Sequence, residues 1–177
     1  EDAISFRDTC NRQNSSKNRY FVIEEFLTLN NFLKAIRLYL KIYKKGLSFK
    51  GVNRVFNFAG SKMNFFLIME KEWKASFFGN IAMEGAMRIA MFDYMAKVLP
   101  ASPWGLFTWE NLSWDFALMS AWRRHQKKIK ILATQHGFFR TFDLRLCSDS
   151  RDFSEIEPEA IPLPDTLCAN NVEAISL

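Results

Sequence analysis

The chain has 177 residues, about the length of one average domain, and carries 24 basic against 19 acidic side chains. Hydrophobic residues make up 49% of it and aromatic residues 15%, which gives it far more apolar surface than a disordered chain contains. The longest stretch without a charge, Val98–Trp109, has twelve residues, whereas a membrane-spanning helix needs about 20 apolar ones. Composition therefore excludes intrinsic disorder and a spanning helix.

Cysteine and histidine are sparse. The three cysteines, Cys10, Cys147 and Cys168, form no CxxC or CxxH spacing, and the histidines are His125 and His136. Such usage is typical of a reducing, cytoplasmic compartment rather than of a disulfide scaffold. Because no Cys/His cluster has the spacing of a zinc site, and no glycine-rich phosphate loop occurs, we expect neither a metal ion nor a resident cofactor.

Charge is distributed unevenly along the chain. The segment Phe26–Met69 contains eight basic residues and no acidic one, whereas Asp149–Glu173 contains seven acidic residues and one basic residue. The basic segment suits either a solvated helix face beside an acidic segment or an anionic membrane surface. No nucleic-acid-binding motif accompanies it, so we expect no nucleic acid partner.

The first hundred residues predict a mainly helical segment. Residues 1–20 are polar and are expected to be irregular. Apolar periodicity predicts helices over Thr28–Lys45, Phe65–Trp73 and Asn80–Leu99, with Gly46 as a left-handed cap of the first. The expected buried faces are, in the first helix, Leu29, Phe32, Leu33, Ile36, Leu40 and Tyr43 and, in the third, Ile81, Gly85, Ile89, Phe92, Ala96 and Leu99.

Residues 101–177 predict an α/β half-domain. Short apolar runs indicate strands at Trp104–Trp109, Ile129–Thr134 and Thr166–Ala169, with a helix over Asn111–Gln126 capped by Asn111 or Ser113. Strands alternating with a helix imply a Rossmann-like parallel sheet. Ligands of such sheets bind at the carboxyl ends of the strands, here Glu110 and Asn111 after the first strand and Gln135, His136 and Gly137 after the second.

The segment after the second strand could carry chemistry. His136 titrates near neutral pH and can act as a base, an acid or a hydrogen-bond donor. Gly137 permits close backbone approach, Arg140 could clamp a phosphate or carboxylate, and Asp143 could orient His136 or pair with Arg140 or Arg145. Alternatively, His136 is a structural histidine at a tight turn beside a local ion pair.

Glu110 is the second candidate. A carboxylate that ends an apolar strand faces a polar cleft, where it suits general acid/base work. Alternatively, it caps the next helix or pairs with a neighbouring basic side chain. Trp109 and Trp114 flank it, and a Trp ring can stack on a sugar, although buried Trp is commoner in protein cores.

These residues together resemble a family. The run Trp109-Glu110-Asn111-Leu112-Ser113-Trp114-Asp115, the pair Gln135-His136 with Gly137, and the later run Pro164-Asp165-Thr166-Leu167-Cys168-Ala169-Asn170 are similar to bacterial surface-carbohydrate (O-antigen and capsule) biosynthesis proteins. These are glycosyltransferases with two Rossmann domains, the GT-B type. The resemblance covers residues 104–177, and Asp115 stands where the family carries Glu.

The resemblance implies a fold, a reaction and a set of roles. The chain would be a fragment of a GT-B enzyme, its N-terminal, acceptor-side domain, without the C-terminal Rossmann domain that binds most of the nucleotide sugar. It would transfer a sugar from a nucleotide-sugar donor to a glycan acceptor at the cytoplasmic face of the membrane. The basic helix predicted over Thr28–Lys45 would suit peripheral contact with anionic lipid there. The implied catalytic residues are His136, Glu110 and Asp115, and the implied substrate contacts are Asn111, Gln135, Gly137, Arg140, Asp143 and Arg145.

Two alternatives stay open at this point. UDP-sugar 2-epimerases share the architecture and a similar His-Gly turn, and such an enzyme would turn over free UDP-sugar without an acceptor. The other alternative is a non-catalytic helical interaction module with a degenerate α/β half. In such a module, replacing Glu110 or His136 would change nothing except the stability.

Overall fold

The computed structural model describes residues 2–13, 18–57, 62–110, 112–135 and 162–169. Within these ranges the protein is mixed α/β, with five α-helices and one three-stranded parallel sheet. The helices are α1 (Ala3–Gln13), α2 (Leu29–Ser48), α3 (Phe66–Phe78), α4 (Asn80–Val98) and α5 (Ser113–His125), and the strands are β1 (Trp104–Trp109), β2 (Lys130–Gln135) and β3 (Thr166–Cys168).

The chain divides into two compact units. One comprises Leu27–Ala90, and the other comprises Glu1–Phe26 together with Met91–Leu177, so the division falls within α4. All the described strands lie beyond residue 103, in the part of the sequence for which the α/β half was predicted.

The first of these units, Leu27–Ala90, is built on close helix packing through small side chains. Ala35 of α2 and Ala86 and Ala90 of α4 are completely or almost completely buried, with larger side chains of both helices packed around them. Gly46 is also buried in α2, where a Cβ atom would lie 2.7 Å from the Cβ atom of Phe77 in α3. Small residues therefore decide which helix faces meet in this unit.

Several predictions for this helical segment are wrong. Residues 3–13 form α1, whose first turn is capped by Asp2: its Oδ1 accepts a hydrogen bond from the Ser5 backbone N–H at 2.7 Å. Gly46 does not cap α2, because the helix continues to Ser48; among the described glycines only Gly51 has a positive φ.

The predicted buried face of α2 is also wrong in large part, whereas that of α4 is wrong only in part, since Ala96 is buried and Phe92 packs against the core formed by α5 and the sheet. The leucines of the predicted α2 face are exposed, and so are Ile81 and Ile89 of the predicted α4 face. The physical reason is that alanine and glycine let two helix backbones approach closely, which excludes the bulkier leucine and isoleucine faces from the contact.

The sheet of the second unit is parallel throughout, in the order β1-β2-β3. The buried side of β1 consists of Gly105, Phe107 and Trp109, which pack with α5 and β2. Gly105 is required there, because a Cβ atom would lie 2.8 Å from the indole ring of Trp122. The predicted β1 matches the observed strand residue for residue, and the other two agree to within a residue at each end.

Candidate functional site at the carboxyl edge of the sheet

The candidate site is built on the carboxyl ends of β1 and β2. Their register pairs Trp109 with Gln135, the last residue of each strand, so both strands end at the same level. Glu110 follows β1 directly and is half-buried, as is Gln135. The sheet therefore delivers two of the predicted site residues to one edge, which is where parallel sheets bind ligands.

Asp115 fixes the backbone at this edge. It is fully buried, and its Oδ2 accepts hydrogen bonds of 3.0 Å from the backbone N–H groups of both Glu110 and Leu112. The Asp115 N–H in turn donates to the Leu112 carbonyl at 3.0 Å. A carboxylate in the first turn of a helix also interacts favourably with the helix dipole.

This arrangement changes the predicted start of α5. The N-cap is Leu112, not Asn111 or Ser113, and its backbone N–H donates to the side chain of Asp115, inside the helix. Because Oδ2 of Asp115 bonds to main-chain N–H groups, its observed role is to hold the turn that carries Glu110. Its catalytic role remains a prediction.

Six predicted site residues fall outside the described ranges. They are Asn111, His136, Gly137, Arg140, Asp143 and Arg145. Of the nine candidates, the structure therefore brings together Glu110, Asp115 and Gln135 at the carboxyl edge of the sheet.

Trp109 belongs to the core rather than to an open sugar-binding face. Its side chain is buried, and its ring meets that of Phe116 edge-on at 5.7 Å and that of Phe107 at 6.0 Å. Trp114 is partly buried and packs against the same core. Of the two expectations for a Trp beside Glu110, core packing is the observed one.

The opposite edge of the sheet carries a polar cluster that sequence reasoning missed. Asp165, just before β3, accepts hydrogen bonds from the backbone N–H of Ile131 at 2.7 Å and from Nη2 of Arg123 at 2.8 Å. Arg123 and the Ile131 N–H lower the pKa of Asp165, because both stabilise its charged form. This cluster fastens β3 and α5 to β2 and lies at the amino ends of the strands.

A second polar cluster joins α4 to α5. Asp93 Oδ1 lies 2.8 Å from His125 Nε2 and 2.5 Å from Arg124 Nη1. His125 is the last residue of α5, but its side chain is only 23% exposed because Asp93 holds it against α4. No feature of the sequence around His125 identifies this partner 32 residues away.

The described residues hold no group of three or more His, Cys, Asp or Glu side chains arranged to bind a metal ion. None of their helices combines the length and the apolar character needed to cross a bilayer. Comparison of the chain with models of known families, with curated proteins and with solved structures found no match.

Proposed function

We propose that this chain is part of a glycosyltransferase of the GT-B type that acts in surface polysaccharide biosynthesis in the cytoplasm. It would transfer a sugar from a nucleotide-sugar donor to a glycan acceptor, with a second Rossmann domain completing the donor site. The support from sequence is the resemblance over residues 104–177. The support from structure is the parallel β1-α5-β2 unit whose two strands end together at Glu110 and Gln135.

The observation that carries the proposal is the placement of Glu110. It is half-buried at the carboxyl edge of the sheet, and the backbone N–H of Glu110 is held by a buried carboxylate, that of Asp115. A side chain that acts on a reacting atom needs a backbone fixed in this way, because small displacements of a catalytic group cost large factors in rate.

In the proposed reaction Glu110 or His136 takes the proton of the acceptor hydroxyl. The acceptor oxygen then forms a bond to the anomeric carbon of the donor sugar, and the bond from that carbon to the nucleotide phosphate breaks. The departing phosphate keeps the electron pair, and Arg140 and Arg145 would stabilise its negative charge. Gln135, Asn111, Gly137 and Asp143 would position the substrates.

The test is complementation of cells that lack the native gene, with surface polysaccharide as the readout. The variants are Glu110→Gln and His136→Ala, each expressed in the whole parent protein. Glu72→Gln is the matched control, because Glu72 is an exposed carboxylate of α3 in the other compact unit. We expect the variant of whichever residue takes the proton to lose at least about 100-fold in transfer rate, the usual size of a general-base contribution, with unchanged thermal melting.

Full polymer from both site variants would overturn the proposal and favour the non-catalytic interaction module. Conversion of free UDP-sugar by the purified protein without acceptor, lost in the same variants, would instead identify a sugar-nucleotide epimerase. Loss of polymer together with a lowered melting temperature would return the residue concerned to a structural role.

A further inference from the structure

The most unusual surface of the described residues is the outward side of α2. Four leucines recur along it, Leu29, Leu33, Leu40 and Leu47, and their exposed fractions are 75%, 45%, 50% and 63%. Isolated exposed leucines are ordinary, but a continuous apolar row on a protein surface marks a contact with something else.

Helical geometry shows that these leucines form a single stripe. At about 100° per residue they fall within an arc of about 40°, and from Leu29 to Leu47 the stripe runs about 27 Å along the helix. The side of α2 that is buried within its own unit is a different one, made by Ala35, Gly46 and their neighbours. The leucine stripe therefore does not belong to the packing between α2 and α4.

A basic stripe lies directly beside the leucines. Arg37, Lys41 and Lys44 are exposed and are centred about 70° around the helix from the leucine stripe. No acidic residue occurs between Phe26 and Met69, so no carboxylate of this segment offsets their charge. The surface thus combines an apolar row with an adjoining row of cations.

We infer that this surface of α2 binds an anionic lipid bilayer, with the helix lying in the plane of the membrane. A bilayer presents hydrocarbon and phosphate at adjacent depths, which matches a leucine stripe flanked by Arg and Lys. Long basic side chains can reach the phosphates while their methylene stems stay in the apolar layer. Nucleic acid would match the cations alone and leave the leucines in water. The inference is independent of the proposed function, because it concerns the other compact unit and needs no sugar transfer.

The experiment is flotation of the full chain with vesicles. One set consists of phosphatidylcholine alone, and the other is a one-to-one mixture of phosphatidylcholine and phosphatidylglycerol. We expect strong binding to the mixed vesicles and weak binding to the neutral ones. Raising the salt from about 0.1 M to about 1 M should weaken binding, because the screening length falls from about 10 Å to about 3 Å.

Two variants separate the contributions of the stripes. The triple variant Arg37→Gln, Lys41→Gln, Lys44→Gln should lose on the order of 100-fold in affinity, because each basic residue near an anionic surface contributes about fivefold. The double variant Leu33→Gln, Leu40→Gln should lose at least about tenfold on the same vesicles.

Matched controls are available on the other compact unit. Lys97→Gln, Lys127→Gln, Lys128→Gln removes the same charge from exposed positions, and Ile4→Gln, Leu106→Gln removes two exposed apolar side chains. Both controls should bind the mixed vesicles within about threefold of the unchanged chain. A side chain contributes to vesicle affinity only when it lies on the surface that contacts the membrane. Thermal melts confirm that each variant is folded.

Several results would overturn the inference. These are absence of binding to the mixed vesicles, equal losses in the control and stripe variants, or a concentration-dependent dimer in sedimentation that the leucine variant abolishes and that competes with the vesicles. Tighter binding to a DNA or RNA duplex than to the vesicles, lost in the basic variant and kept in the leucine variant, would assign the surface to nucleic acid instead.

Discussion

The carboxylate of Asp115 accepts a hydrogen bond of 3.0 Å from the backbone N–H of Glu110, five residues earlier, and so joins the first turn of α5 to the residue that follows β1. The same oxygen accepts from Leu112. Because two N–H groups depend on this buried side chain, we expect Asp115→Ala to lower the free energy of unfolding by about 2 kcal/mol in urea titrations. Asp115→Asn, which keeps an acceptor oxygen, should lose less.

The control for this prediction is Asp2→Ala. Asp2 also accepts a hydrogen bond in the first turn of a helix, α1, but that bond is exposed. Its loss should lower the free energy of unfolding by about 0.5 kcal/mol, at the low end of the range for helix caps. Equal losses from Asp2→Ala and Asp115→Ala would show that the buried hydrogen bonds of Asp115 contribute no more stability than an exposed helix cap.

Gly105 and Gly85 offer a matched pair for the packing of the sheet. A Cβ atom on Gly105 would collide with the ring of Trp122 and touch Ile129, whereas one on Gly85 in α4 meets nothing within 4 Å. We expect Gly105→Ala to lower the free energy of unfolding by about 1–3 kcal/mol through overpacking. Gly85→Ala should raise it by about 0.5–1 kcal/mol, because alanine favours the helix. Stabilisation by both substitutions would refute the packing of Trp122 on β1.

The buried face of α4 can be tested by substitutions that act in opposite ways. Ala86 is 0% exposed, whereas Ile89 is 37% exposed. Adding volume in Ala86→Leu should lower the free energy of unfolding by about 1–3 kcal/mol. Removing volume in Ile89→Ala should lower it by about 1 kcal/mol or less, well below the cost at a buried position. A larger loss from Ile89→Ala than from Ala86→Leu would instead support the buried face that the sequence pattern predicts.

Asp165 should make stability depend on acid pH. Its folded-state pKa is lowered, so its contribution is fully present above the unfolded-state value of about 4 and is lost as the pH falls through the folded value. Asp165→Asn should therefore be less stable than the unchanged chain at neutral pH, and the two stability curves should converge below about pH 4.

Arg123→Gln provides the internal check on this pH dependence. It removes the main cause of the lowered pKa, so it should flatten the part of the acid transition that belongs to Asp165. Stability curves of Asp165→Asn and the unchanged chain that run parallel through the whole acid range would show that Asp165 contributes no such dependence.

The positions of the strands could be predicted because their signals are local. β1 is an apolar run that ends just before Glu110, and its buried residues alternate with exposed ones as a pleated strand requires. The helices α2, α3, α4 and α5 were also predicted, with errors of zero to five residues at their ends. Periodicity was less reliable for helix faces, because it assigned the leucines of α2 to a core that alanine and glycine occupy instead.

The polar clusters could not be predicted, because their members are far apart in sequence. Asp165 and Arg123 are separated by 42 residues, and Asp93 and His125 by 32. For the candidate site, the topology rule correctly placed Glu110 and Gln135 at one edge of the sheet. The dependence of that edge on Asp115 was missed, although an Asp in the first helical turn was a visible signal for it.

The third strand is short, and its attachment has a consequence for the order of folding. β3 has only three residues, all of them exposed; it pairs with β2 over three positions, and the contacts of Asp165 with Ile131 and Arg123 add to this attachment. β1 and β2 instead pair over six positions and are linked by one helix. More residues separate β3 from β2 than separate β2 from β1, so pairing β3 costs more entropy and gains fewer contacts. The two-stranded unit should therefore form first, and β3 should join last. During unfolding β3 should detach first. The sheet would then exchange between a three-stranded and a two-stranded form while the core stays folded.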